Sequence, residues 1–118
     1  MEKVVFTTGG TGGHIYPALA IAKKMREKNI DVLFIGTSHR MEKDIVPREN
    51  FRFIGLDVLP LNSLKSGIKM LKAIFSTIKL LKKEKPQKII GFGNYITIPV
   101  LVAANVLKIP YYLQEQNH

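Results

Sequence analysis

The sequence predicts an α/β fold, a Rossmann-like parallel sheet with helices on both faces. Three observations point to it. Short β-rich runs recur along the chain, separated by helical patterns. Those runs are apolar almost throughout instead of alternating, as in strands covered on both faces. Glycines also stand where strands hand over to helices. The 118 residues fit one domain.

Taken in order, Val4–Thr8 is the first strand and stops at Gly9-Gly10. Pro17 occupies a first helical position ahead of Ala18-Leu19-Ala20-Ile21-Ala22, and a charged end runs through Lys28. Val32–Ile35 is the second strand, ended by Gly36, and a short helix from about Met41 to Val46 stops before Pro47. Phe53–Leu56 is a third strand. A long helix from Leu64 to Lys85 ends at Pro86, Lys88–Phe92 is the fourth strand, Pro99–Leu107 a further helix and Tyr111–Leu113 the fifth strand. In a doubly wound sheet these strands take the order 3-2-1-4-5. His118 follows the last strand with no helix to cover that side, so the expectation is a piece of a longer chain.

Composition narrows the function. The chain is 46% hydrophobic and 23% charged, as in ordinary soluble domains. It has no cysteine, which removes disulfide scaffolds, thiol catalysis and cysteine-ligated metals. No stretch approaches the ~20 apolar residues of a bilayer span, and the N-terminus does not read as a signal peptide. A soluble cytoplasmic protein is the expectation. The formal charge of +9 is concentrated: from Lys65 to Lys88 there are eight lysines and one acid, Glu84, giving +7. Such a field attracts polyanions, an anionic membrane face or phosphorylated substrates. No helix-turn-helix or RNA-binding motif accompanies it, so nucleic acid is not expected.

The run Thr8-Gly9-Gly10-Thr11-Gly12-Gly13-His14 joins the first strand to the first helix. Glycines let the backbone come close to a ligand, and the helix start behind them offers unpaired N–H groups, so the loop suits a phosphate or diphosphate. It lacks the Lys-Ser/Thr pair of a Walker loop. Ile15 stands where a dinucleotide fingerprint needs its third glycine, and Gly36-Thr37-Ser38 lacks the ribose-binding acid. A tight turn that merely needs glycine is the plainer alternative. A second loop, Gly91-Phe92-Gly93-Asn94-Tyr95, follows the fourth strand, which neighbours the first at the switch point where ligands bind. The polar end Gln114-Glu115-Gln116-Asn117 opens onto the same rim. His14 is placed to take a proton from an attacking hydroxyl or, equally, to hydrogen-bond at the helix start. His39 and His118 read as surface residues.

The long helix is two-faced. On a helical wheel Leu64, Ile68, Leu71, Phe75 and Ile78 line up, with Met70, Ile74 and Leu81 widening the arc, while Lys65, Lys69, Lys72, Lys79 and Lys83 form a stripe. Two readings are open: an ordinary amphipathic core helix, or a helix whose lysine-rimmed apolar edge stays exposed to acyl chains and anionic headgroups.

At this point a resemblance appears. Thr8–Ala20 resembles the first glycine loop of the MurG family, the N-acetylglucosaminyltransferases that convert lipid I to lipid II in peptidoglycan synthesis. Gly36–Glu42 resembles the stretch after that family's second strand. Gly91–Tyr95 and Gln114–Asn117 resemble its second glycine loop and its His-Glu-Gln-Asn signature. The matches are in order and run across the whole chain.

The resemblance implies the N-terminal half of a GT-B glycosyltransferase, an inverting enzyme without metal or cofactor. Residues 1–118 would be its acceptor- and membrane-binding domain, at the cytoplasmic face of the bacterial plasma membrane. Thr11, Gly12, Gly13, Gly93, Asn94 and Tyr95 would hold the diphosphate and sugar of the lipid I acceptor, and His14 would be the base. Glu115 and Asn117 would lie at the cleft. Ile68, Lys69, Leu71, Lys72, Phe75 and Lys79 would meet the membrane. UDP-GlcNAc would be bound by a C-terminal domain beyond this chain, so the 118 residues alone are expected to be inactive. Asn94 stands for a usual glycine, Thr97-Ile98-Pro99 for Ser-Gly-Pro and Gln114 for a usual histidine. Two other classes remain open: a non-catalytic membrane-docking subunit of a two-chain lipid-linked sugar transferase, and a Rossmann protein binding NAD or ATP.

Overall fold

The computed structural model describes residues 2–8, 12–37, 42–56, 64–92 and 97–114, and for Gly12–His14, Thr37, Glu42 and Thr97 the backbone alone. Its elements run β1 (Lys3–Thr7), α1 (Gly12–Glu27), β2 (Asp31–Thr37), α2 (Glu42–Arg48), β3 (Arg52–Leu56), α3 (Leu64–Glu84), β4 (Lys88–Gly91), α4 (Thr97–Leu107) and β5 (Tyr111–Leu113). All strand pairs are parallel and the order is β3-β2-β1-β4-β5, as the sequence predicts. Parallel neighbours cannot be joined by a hairpin, which is why a helix lies between each consecutive pair.

Alternation along the strands sorts the core into two layers. Val4 and Phe6 of β1, with Val32 and Phe34 of β2, face Ile15, Ala18, Leu19 and Ala22 of α1 and Val46 of α2. Val5, Leu33, Ile35 and Ile89 face the opposite way, under Met70, Ala73 and Leu81 of α3 and Val100, Ala103 and Ala104 of α4. The first layer is knitted by rings: Phe6 lies 5.4 Å from Phe34 and 5.2 Å from Phe92, and Phe34 lies 5.4 Å from Phe51, centroid to centroid. Such offset pairs add to the burial of each ring.

Three helix boundaries differ from the sequence expectation, each around a proline. The first helix begins at Gly12, so Pro17 lies inside it and forfeits the bond to the Gly13 carbonyl. Packing outweighs that loss, because helical continuity places Ile15, 1% exposed, on one face with Ala18, Leu19 and Ala22. Pro47 sits in the last turn of α2, whose buried Val46 anchors it to the core. The chain leaves that turn through Asn50 (φ 64°), whose N–H bonds the Pro47 carbonyl at 3.0 Å. Pro99 falls in the first turn of α4, where an N–H has no helical partner to lose.

Candidate acceptor and membrane-facing site

Parallel strands put all their C-terminal ends on one rim of the sheet. At that rim Thr7 of β1 pairs with Gly91 of β4, and the Phe92 N–H donates to the Thr7 carbonyl at 2.9 Å. The two glycine-containing segments therefore leave the sheet side by side. Gln114 joins them, its N–H donating to the Gly91 carbonyl at 2.8 Å. This is the convergence expected at the switch point between β1 and β4.

Gly12, Gly13 and His14 form the first turn of α1 and are not a loop, so their backbone N–H groups belong to the unpaired donors of a helix start. The side chain of His14 is outside the described residues, as are Thr11, Gly93, Asn94, Tyr95, Glu115 and Asn117.

Two features of this rim carry no sequence signal. The Tyr111 phenol of β5 crosses over Gly91 and reaches within 3.4 Å of the Thr7 hydroxyl. A side chain at position 91 would collide with it, since a Cβ there would lie 2.1 Å from the phenolic oxygen. The hydroxyl of Thr8, a residue 1% exposed, is buried with no hydrogen-bond partner among the described residues, at the point where the first glycine segment begins.

At the opposite rim, charges are consumed structurally. Glu84 at the end of α3 accepts from Lys3 at 2.9 Å and Arg52 at 3.0 Å, and Arg52 also reaches Asp31 at 3.2 Å. The Arg52 and Lys3 hydrogen bonds hold the Glu84 carboxyl down to about 2. This knot ties the C-terminal end of α3 to the starts of β1, β2 and β3.

The face that α3 buries does not coincide with the centre of its apolar arc. Its buried positions are Ser66, Met70, Ala73, Thr77 and Leu81. Small side chains there let the helix lie close against its neighbours, and the Thr77 hydroxyl is satisfied by the Ala73 carbonyl at 2.6 Å. The larger apolar side chains point away: Leu64 is 82% exposed, Ile68 47%, Leu71 57% and Phe75 69%. At 3.6 residues per turn this stripe lies roughly 150° around the helix from the buried face. Lys72 and Lys79 are exposed beside it, and Lys69 is half-buried. No helix among the described residues is long and apolar enough to cross a membrane. An exposed row of this kind, edged by cations, is the pattern of a helix lying at an interface.

Comparison with known proteins settles the kinship. The model of the glycosyltransferase family 28 N-terminal domain matches residues 4–118. The chain belongs to glycosyltransferase family 28. It is 54% identical over 117 residues to the UDP-N-acetylglucosamine--N-acetylmuramyl-(pentapeptide) pyrophosphoryl-undecaprenol N-acetylglucosamine transferase of Fusobacterium nucleatum, covering 99% of this chain and 33% of that protein. The transferase of the same name from Halothermothrix orenii is 44% identical over 121 residues, covering 98% and 33%. The crystal structure of Acinetobacter baumannii MurG superposes with a TM-score of 0.88 at 32% identity, covering 99% of this chain and 35% of that one. A Rickettsia africae glycosyltransferase shares the fold alone, with a TM-score of 0.78 at 10% identity and coverage of 95% and 29%. The resemblance read from the glycine motifs is thus borne out. The chain spans about a third of the length of the curated family 28 relatives it matches.

Proposed function

We propose that this chain is the acceptor- and membrane-binding part of an inverting transferase that moves GlcNAc from UDP-GlcNAc to the C4 hydroxyl of lipid I, giving lipid II. The hydroxyl oxygen forms the new bond to C1 of GlcNAc while the bond from C1 to the UDP oxygen breaks, and UDP leaves with the electron pair. His14, at the start of α1, takes the proton, and the glycine segments around Gly12-Gly13 and Gly93-Asn94-Tyr95 hold the acceptor diphosphate. Glu115 and Asn117 line the cleft. Family 28 membership and the names of the relatives support the reaction. Spanning a third of their length, the chain alone is expected to bind acceptor without turning over UDP-GlcNAc.

One observation carries the membrane half: α3 turns Leu64, Ile68, Leu71 and Phe75 to solvent beside its lysines. Seated on a bilayer, each of the larger side chains is worth about 1–2 kcal/mol when buried, and each lysine near an anionic surface about 1 kcal/mol. The anionic cytoplasmic face of a bacterial plasma membrane fits both.

The test is co-sedimentation with anionic vesicles, with and without lipid I or an undecaprenyl diphosphate analogue. Wild type is expected to bind, more tightly with the analogue. The Lys69/Lys72/Lys79→Glu and Leu71/Phe75→Ser variants should bind at least a hundredfold more weakly, with unchanged melting temperatures for the serine pair. Folded wild-type protein that ignores these vesicles would refute the membrane half.

A further inference from the structure

The three segments that the proposed function assigns to the acceptor leave the sheet after Thr8, Phe92 and Gln114, and one side chain meets the strand ends behind all of them. Thr7, Gly91 and Leu113 stand in one register row across β1, β4 and β5. Tyr111 lies two residues before Leu113, on the same face of the sheet. Its ring leans over Gly91 of the neighbouring strand, and its hydroxyl comes within 3.4 Å of the Thr7 hydroxyl one strand further on. The side chain thus bridges two strand spacings, roughly 10 Å, from the edge of the sheet to its centre.

Core filling alone does not account for this choice of residues. A glycine inside a strand weakens it, so alanine would serve β4 better if only strand stability mattered. Here the missing Cβ makes the slot that admits the ring, since a Cβ would lie 2.1 Å from the phenolic oxygen. Thr7 is fully buried, where valine would need no polar partner. A ring seated in a slot, with its hydroxyl at the long end of hydrogen-bond distance from a second hydroxyl, has one place along the strands; an apolar pair can slide. β5 needs such a tie, being three residues long and at the sheet edge. Its ends are held to β4 by the Ile89 N–H on the Pro110 carbonyl at 2.9 Å and the Gln114 N–H on the Gly91 carbonyl at 2.8 Å. Tyr111 also borders a hollow of about 530 Å³ with Leu101, Val102, Asn105 and Ile109, so the seat of the ring is the slot over Gly91 and not a close wall of α4.

We propose that Tyr111 is a positioning residue for the acceptor: its ring, seated over Gly91, fixes the ends of β1, β4 and β5 relative to one another, so that the segments starting at Gly9, Gly93 and Glu115 leave from set points. This rests on the acceptor-binding reading of the rim. Residues 9–13 include four glycines, and glycine loses more conformational freedom on ordering than any other residue. Set starting points reduce the ordering that the ligand itself has to impose, which is the general route from preorganisation to affinity. The same side chain links Gln114–Asn117 to both glycine segments. Tyr111 acts through Thr7 and Gly91, so its contribution is to acceptor affinity and not to the chemical step.

The experiment compares wild type with Tyr111→Leu, Tyr111→Phe, Gly91→Ala and a destabilised control in the opposite core layer, Val46→Ala. Amide hydrogen exchange reads the rim, and titration with a soluble lipid I analogue carrying a geranyl chain reads the acceptor. In Tyr111→Leu the Phe92 and Gln114 amides should exchange at least tenfold faster relative to those of the β1–β2 ladder, which report overall stability. Affinity for the analogue should fall at least fivefold. Gly91→Ala, which unseats the ring without removing it, should reproduce both effects, and it serves in place of Tyr111→Leu where that variant does not fold. Tyr111→Phe keeps the ring in its slot and should stay within twofold of wild type in both readouts. Val46→Ala should lower the melting temperature and leave both unchanged. Wild-type affinity in folded Tyr111→Leu and Gly91→Ala, rim amides that accelerate only as much as the ladder, a loss in Tyr111→Phe as large as in Tyr111→Leu, or the same fivefold loss in Val46→Ala would each overturn the proposal and leave the acceptor reading standing. Wild-type protein that does not bind the analogue refutes the acceptor reading, and the positioning role falls with it.

Discussion

Gly91→Ala tests whether the rim is held as the structure describes. An added Cβ would stand 2.1 Å from the Tyr111 phenolic oxygen, 2.7 Å from Cζ and 3.0 Å from Cε1. Ordinary carbon contacts need about 3.5 Å or more, so the ring has to move by more than 1 Å. Overpacking of that order costs about 1–3 kcal/mol, and the 3.4 Å hydroxyl contact with Thr7 goes with it, adding up to about 1 kcal/mol. The expected loss is roughly 1–4 kcal/mol, read as a lowered urea midpoint at constant m-value. The decisive arm is Tyr111→Leu, which removes the colliding atoms. In that background Gly91→Ala should be neutral, or stabilising by about 0.5–1 kcal/mol, because alanine restricts the unfolded strand more than glycine does. Whatever else Tyr111 contributes is lost in both arms and cancels in the cycle. An equal loss in both backgrounds would show that Gly91 answers to something other than the phenol, and the reasoning would fail.

Two further predictions follow from the same packing. The Glu84 carboxyl is held at about 2 against an ordinary 4.5, so it contributes stability that is complete above pH 4.5 and lost as pH falls toward 2. With Arg52 partly exposed, screening reduces the benefit to about 1–2 kcal/mol. Glu84→Gln should lower stability by that amount at pH 7, leave it unchanged near pH 2, and flatten acid denaturation between; Glu49, lowered by Lys23, remains as background. The same substitution at two phenylalanines should give opposite answers: Phe34→Ala, at 0% exposure, costs about 3–5 kcal/mol, whereas Phe75→Ala, at 69%, stays within about 0.5 kcal/mol.

The strand order was legible because each strand is a short apolar run and each crossover holds a helix, which leaves few topologies. Boundaries were less so. Propensity places Pro17 at a helix start, but Ile15 reaches the core only if the helix begins earlier. The convergence of the glycine segments was legible from the order 3-2-1-4-5 alone. The Tyr111 strut was not: it needs a side chain of β5 to lie across β4 and touch β1, and no local pattern encodes a diagonal of that kind. The placement of α3 was half legible. Its wheel identifies every apolar position, yet which of them become core depends on where α4 packs, and that is tertiary information.

That last difference bears on function. Had the centre of the apolar arc been buried, the lysines would be an ordinary solvated face. Instead α3 packs through Ser66, Met70, Ala73, Thr77 and Leu81, and its more bulky exposed side chains add nothing to the fold. Leu64, Ile68, Leu71 and Phe75 expose apolar surface to water in the isolated chain, which favours association and lowers solubility. A polar residue at any of these four positions would leave the core intact, so folding does not explain why they are apolar. The interface proposed above would explain it. Lys65, Lys69, Lys72, Lys79 and Lys83 fall on one flank of the helix, Lys69 and Lys72 beside Ile54–Leu56 of β3, whereas Lys82 and Lys85 line a hollow with Leu107 and Ile109 on the α4 side, and Ile74 and Ile78 pack against the core. In the membrane-binding reading proposed above, the apolar row supplies the burial and the lysines around it the attraction to an anionic surface.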